Sequence, residues 1–127
     1  MPIPKSIFEN FSEKFPLLNR FYSLYQQIAE LAKNEDNTIR KSSEITVLEI
    51  LELIVVATRQ AKSEKFQTLK QVMRKIETLK VFANMAKEIK LISENKYGEL
   101  NEALEAVSKM IGGWLKAINP ANASATK

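Results

Sequence analysis

Along most of this chain apolar residues return every three or four positions, the spacing that lines up one face of an α-helix. Leu17, Phe21, Leu24, Ile28 and Leu31 form the first full stripe. It follows Pro16, a residue favoured at the first helical position. The polar run Asn34-Glu35-Asp36-Asn37 breaks the pattern. A second helix is expected over roughly Arg40 to Gln60, where nine of the eleven positions from Val47 to Ala57 are apolar. The β-branched trio Ile54-Val55-Val56 suits a strand, but the length of the element and the lack of turn signals favour a helix. Leu69, Val72, Ile76, Leu79, Ala83 and Ala86 predict a third helix from about Glu64 to Ile92. After a turn at Ser93-Glu94-Asn95-Lys96, the residues Leu100, Leu104, Val107, Ile111, Leu115 and Ile118 predict a fourth, stopping before Pro120.

Upstream, Ser6-Ile7-Phe8-Glu9 has the form of a capping box. Ile7, Phe8, Phe11 and Phe15 make a short stripe that Pro16 ends or bends. The division expected is an N-terminal helical arm over residues 1–15, a four-helix bundle over 16–119 and a disordered tail over 120–127. Short links between the long helices make the bundle up-and-down, in an all-α fold. There is no internal repeat. The second helix has more apolar surface than one core-facing stripe needs. It therefore takes either a central position or a place in a subunit interface.

Composition narrows the chemistry. The 127 residues include no cysteine and no histidine. Disulfides, thiolate metal sites, Ser-His and Cys-His catalytic sets and the Glu-x-x-His pairs of di-iron bundles are all excluded. Asp36 is the sole aspartate, so the clustered carboxylates of two-metal enzymes are missing. Glu49 and Glu52, three apart on one helical face, could hold a hard cation; pairing with nearby Lys or Arg at the solvent edge is the simpler reading. Gly112-Gly113 lacks the Lys-Ser/Thr continuation of a phosphate-binding loop. No enzyme activity and no cofactor are expected. The N-terminus lacks a signal-peptide core, and the apolar run Val47–Ala57 is too short and too charged to span a bilayer. A cytoplasmic protein is expected.

Charge is unevenly distributed. The chain has 19 Lys+Arg against 15 Asp+Glu. Between Arg59 and Lys96 lie ten basic residues and four acidic ones, so the basic excess belongs to the third helix and its approach. Such polarisation suits an anionic partner, although lysine-rich faces also solubilise bundles. Lys80 and Lys87, seven apart, lie at the edge of the apolar seam. With Lys90, Arg74, Lys70 and Arg59 they are the candidate nucleic-acid and partner-binding residues, and Arg20, Arg40 and Lys41 are held in reserve. Gly112 and Gly113, followed by Trp114, suggest close helix packing or an oligomer contact, with the indole as an anchor.

The run Val107-Ser108-Lys109-Met110-Ile111-Gly112-Gly113-Trp114-Leu115-Lys116 resembles the Gly-Gly-Trp-Leu-Lys ending of the accessory variability determinant (Avd) family of diversity-generating retroelements. Leu79-Lys80-Val81-Phe82-Ala83-Asn84-Met85-Ala86-Lys87 resembles that family's Leu-Arg-x-x-x-Arg-Leu-Ala stretch. Glu52-Leu53-Ile54-Val55-Val56-Ala57 is similar to its second-helix signature, and Tyr97 to the aromatic opening its last helix. The resemblance spans about residues 20 to 118. The four-helix bundle proteins of ribosomal RNA intervening sequences are a related group. The resemblance implies a barrel-like homopentamer that performs no chemistry. It presents basic surface to a reverse transcriptase and to RNA or DNA, supporting mutagenic reverse transcription. Two of the family's basic positions fall here on Lys80, which keeps the charge, and Asn84, which loses it. The Phe-Pro-Lys that often precedes the family's second helix is not found around Leu31-Ala32-Lys33. The alternative is a protein–protein scaffold of the intervening-sequence type that does not bind nucleic acid.

Overall fold

The computed structural model describes residues 16–30 and 38–119. They form α1 (Pro16–Glu30), α2 (Thr38–Ala57), α3 (Lys62–Glu88) and α4 (Glu94–Ile118), with no strand among the described residues. The predicted arm, the tail and the break at Asn34–Asn37 lie outside the described residues.

Each helix packs on two others: α1 on α2 and α4, α3 on α2 and α4. This closed square is the up-and-down arrangement expected when short links join antiparallel neighbours. One end layer contains Ile28 from the end of α1, Ile39 from the start of α2, Phe82 and Ala86 from the end of α3, and Leu100 from the start of α4. The opposite end therefore gathers the start of α1, the α2–α3 turn and the end of α4. Lys65, whose ammonium lies 5.8 Å from the Trp114 ring centroid, joins two of these directly.

The predicted seams fill the core. Phe21, Leu24 and Ile28, then Leu69, Val72, Ile76, Leu79, Ala83 and Ala86, then Leu100, Leu104, Val107 and Ile111 are all buried. Each fully buried large side chain contributes roughly 1.5–3 kcal/mol. Leu115 and Ile118 are only half-buried and share the end of the α4 seam with Trp114.

Three boundaries differ from the periodicity, each for a local reason. The second helix ends at Ala57, because Arg59 N–H donates to Val56 O and Gln60 N–H to Ala57 O, tightening the chain into a turn. The Thr68 hydroxyl donates to Gln60 Oε1 at 2.7 Å and fixes that turn to α3. The third helix stops at Glu88, because Lys90 takes a left-handed conformation with φ 62°. Lys90 N–H donates to Lys87 O and Leu91 N–H to Ala86 O, the paired bonds of a Schellman C-terminus. Ile92 is thus buried from the turn rather than from the helix. Ser93 caps α4, its Oγ accepting from Lys96 N–H at 3.1 Å. The expected turn Ser93–Lys96 is therefore the cap and first turn of a helix, with Glu94 well placed near its positive end.

The second helix is not central. It packs on two helices, as the others do, and its surplus apolar surface faces outward. Ile45, Leu48 and Val56 on α2 and Val81, Met85 and Ile89 at the end of α3 are 43–58% exposed.

Candidate functional site

The predicted basic residues do not form one surface. Lys80 lies on the α3–α4 side of the bundle, its ammonium 2.9 Å from Glu105 Oε1 and 3.3 Å from Glu77 Oε1. The hydrogen bond to Glu105 raises the Lys80 pKa, burial opposes it with a smaller effect, and the bond to Glu77 adds to the rise. The bond to Lys80 also holds the Glu105 carboxyl below the usual carboxylate range. Lys87 lies over the Tyr97 ring at 4.5 Å and 3.8 Å from Glu88. The charges of Lys80 and Lys87 are thus engaged with groups of their own chain. Asn84, one turn from Lys80, is exposed.

Arg59, Lys70 and Arg74 are exposed instead. Arg59 and Arg74 form no ion pair with a described residue, and the Lys70 ammonium lies 5.5 Å from the Phe66 ring. Lys90 is exposed at the α3–α4 turn. Of the reserve candidates, Arg40 is half-buried and bonds Glu44 at 3.0 Å, while Arg20 and Lys41 are exposed. Glu49 reaches Lys75 at 3.3 Å across the α2–α3 groove, and Glu52 lines the same groove beside Arg74. For Glu49 this is the solvent-edge pairing with a basic residue that its sequence position suggests. No group of three potential metal ligands occurs among the described residues.

Among the described residues the glycine pair does not serve close packing. A Cβ at Gly112 or Gly113 would meet no heavy atom of the described residues within 4 Å. Each glycine in a helix interior costs roughly 1 kcal/mol relative to alanine, and nothing in the described bundle offsets that cost. Trp114 is half-buried against the core at the end of α4.

The fold also assembles a feature that no single helix contains. Residues 53–72 carry Arg59, Lys62, Lys65 and Lys70 against Glu64 alone; residues 107–119 carry Lys109 and Lys116 with no acid; residues 16–22 carry Arg20 with no acid. These segments meet at one end of the bundle. The remaining described residues hold ten glutamates against eight Lys and Arg. A count of the basic excess by helix assigns it to α3, whereas a count by axial position assigns it to one end. Lys109 and Lys116, on a helix that is acidic at its start, could be found only by knowing that α4 ends beside the α2–α3 turn.

A family model described as bAvd-like matches residues 12–118. The chain belongs to the bAvd-like family. The match covers all four helices, including the stretch around Lys80 and Asn84 and the Gly112-Gly113-Trp114 ending. It relates the chain to the accessory variability determinants and so to diversity-generating retroelements. No curated protein and no solved structure matches the chain. No described helix is long and apolar enough to cross a membrane.

Proposed function

We propose that this chain is a non-catalytic accessory factor that binds a retroelement reverse transcriptase and RNA or DNA, in support of mutagenic reverse transcription. The observation that carries the reading is the bAvd-like match over residues 12–118. The exposed cations Arg59, Lys70 and Arg74 are suited to an anionic partner. The factor acts as a homo-oligomer, with the pentamer implied by the Avd resemblance as the expected state. The outward apolar residues of α2 and α3 support assembly, because large apolar sets left uncovered on a small bundle mark interaction surfaces.

The test is co-purification with a diversity-generating retroelement reverse transcriptase from the same genome, alongside light scattering on the isolated protein. A stable complex and a mass several times 14.5 kDa are expected. Failure to form a complex with that enzyme overturns the accessory role, and a monomer at micromolar concentration overturns the assembly. The engagement of Lys80 and Lys87 by Glu77, Glu105, Glu88 and Tyr97 favours a second reading, a scaffold that binds protein alone. RNA association without steep salt dependence supports that scaffold, because phosphate neutralisation makes affinity fall sharply with salt.

A further inference from the structure

The basic end of the bundle differs from an ordinary solvated face in three respects. Its cations come from three helices and a turn, and within the described segments that form it the carboxylates are few: Glu64 alone lies inside them, and Glu105 lies at their edge, one turn before Lys109. Arg59 and Lys62 are exposed there and form no ion pair with a described residue. Lysines that merely solubilise a bundle are commonly interspersed with acids, as they are elsewhere on this one, where Lys96 meets Glu99 and Lys80 meets Glu105.

The third respect concerns α4. Lys109 and Lys116 are seven residues apart, two helical turns, and both are exposed on the outer side of the helix. Gly112 and Gly113 lie between them, where a Cβ would meet none of the described residues. The surface there is bare helix backbone between two lysines. A strand lying across it can approach more closely than any larger side chain would allow, with its charge flanked on both sides. An arrangement that costs helix stability and is not offset among the described residues is consistent with a ligand that comes close at that point.

We infer that the end of the bundle formed by Arg59, Lys62, Lys65, Lys109 and Lys116 seats the sugar–phosphate backbone of single-stranded nucleic acid, passing over Gly112-Gly113. This rests on the nucleic-acid reading above and moves its location away from Lys80 and Lys87. The bonds are to phosphate, so binding is weakly sequence-specific and strongly salt-dependent. The Trp114 ring, half-buried and covered on one side by Lys65, closes the bundle end and holds that lysine in place.

The experiment is fluorescence anisotropy of the full chain with a fluorescein-labelled oligouridine over a salt series. The variants are Arg59→Gln/Lys62→Gln/Lys109→Gln at the basic end and Lys80→Gln/Lys87→Gln on the α3–α4 side, with circular dichroism confirming equal helicity. The basic-end triple variant should weaken binding about tenfold or more and reduce the log–log salt slope by about two, at roughly 0.7 for each phosphate no longer neutralised. The Lys80/Lys87 variant should stay within about twofold of the parent, since neither lysine neutralises a phosphate in this arrangement. Gly113→Ala should leave helicity unchanged or higher and still weaken binding, which a merely structural glycine would not do. A parent that binds with neither the triple variant nor Gly113→Ala affected overturns the location alone. A parent that fails to bind oligouridine at low salt overturns the nucleic-acid reading itself. Polyglutamate competing as well as oligouridine overturns nucleic acid in favour of an acidic protein partner.

Discussion

Replacing Lys90 by glycine tests the one strained backbone position in the described chain. Lys90 is the non-glycine residue with positive φ, 62°, and it completes the Schellman end of α3, where its own N–H donates to Lys87 O and that of Leu91 to Ala86 O. A side chain bearing a Cβ in that region costs about 1–2 kcal/mol. Glycine removes the clash but loses about 0.5–1 kcal/mol more conformational entropy on folding. The net expectation is a stabilisation of about 0.5–1 kcal/mol. For 127 residues that corresponds to a rise of roughly 3–5 °C in Tm per kcal/mol. Thermal and chemical denaturation followed by circular dichroism at fixed protein concentration measure it. Lys90→Ala serves as the control: it keeps the Cβ and removes the charge, so it should gain nothing. If alanine stabilises as much as glycine, the gain is electrostatic and the backbone argument is wrong. A less stable Lys90→Gly variant would show that the lysine side chain contributes more to the turn than its conformation costs.

Gly113→Ala should stabilise the isolated bundle by about 0.4–1 kcal/mol, since the added Cβ meets nothing within 4 Å; a fall in Tm would mean that a neighbour does pack there. Ile76→Ala, at a fully buried position, should cost about 2–5 kcal/mol, read from the denaturation midpoint. Glu105→Gln should lower stability at neutral pH and match the parent in acid. The Glu105 carboxyl is held low by Lys80, so its contribution is present above its ordinary pKa and is lost as pH falls through the lowered one. Lys80, raised by the same bond, contributes below its ordinary pKa and loses that contribution as pH rises through the raised one. Parallel pH–stability curves for parent and Glu105→Gln would remove the pair from consideration.

The core is legible in the sequence because a seam residue reports its own burial: Leu69, Val72, Ile76 and Leu79 need only their spacing to be assigned inward. Helix ends are harder where the chain departs from the residue usually found there. A glycine at position 90 would mark the end of α3, but lysine occupies the left-handed position and the apolar pattern runs past it to Ile92. Ser93 opens a polar run that reads as a turn, although a serine followed by Glu94 is also a helix start. At the candidate site, spacing places Lys80 and Lys87 on one side of α3 but cannot reveal Glu105 across the groove, 25 residues on. The glycine pair stands out as unusual along the chain, yet only its surroundings distinguish a packing seam from an open surface. The basic end depends on the order in which helices return, and no single segment contains it.

The alternation of helix direction has an electrical consequence. Each helix carries a macrodipole equivalent to about half a charge at either end, but α1 and α3 run against α2 and α4, so the backbone contributions cancel in pairs at both ends. Across the described bundle, the potential difference between the two ends is therefore set by side chains rather than by the backbone. Arg59, Lys62 and Lys109 lie outside the core and can be exchanged without disturbing it, so the sign and strength of that end can vary while the fold that presents it stays the same. Salt acts on the same quantity, since exposed charges are screened over about 10 Å at 0.1 M. The bundle is in this sense a neutral insulating rod with a replaceable charged tip.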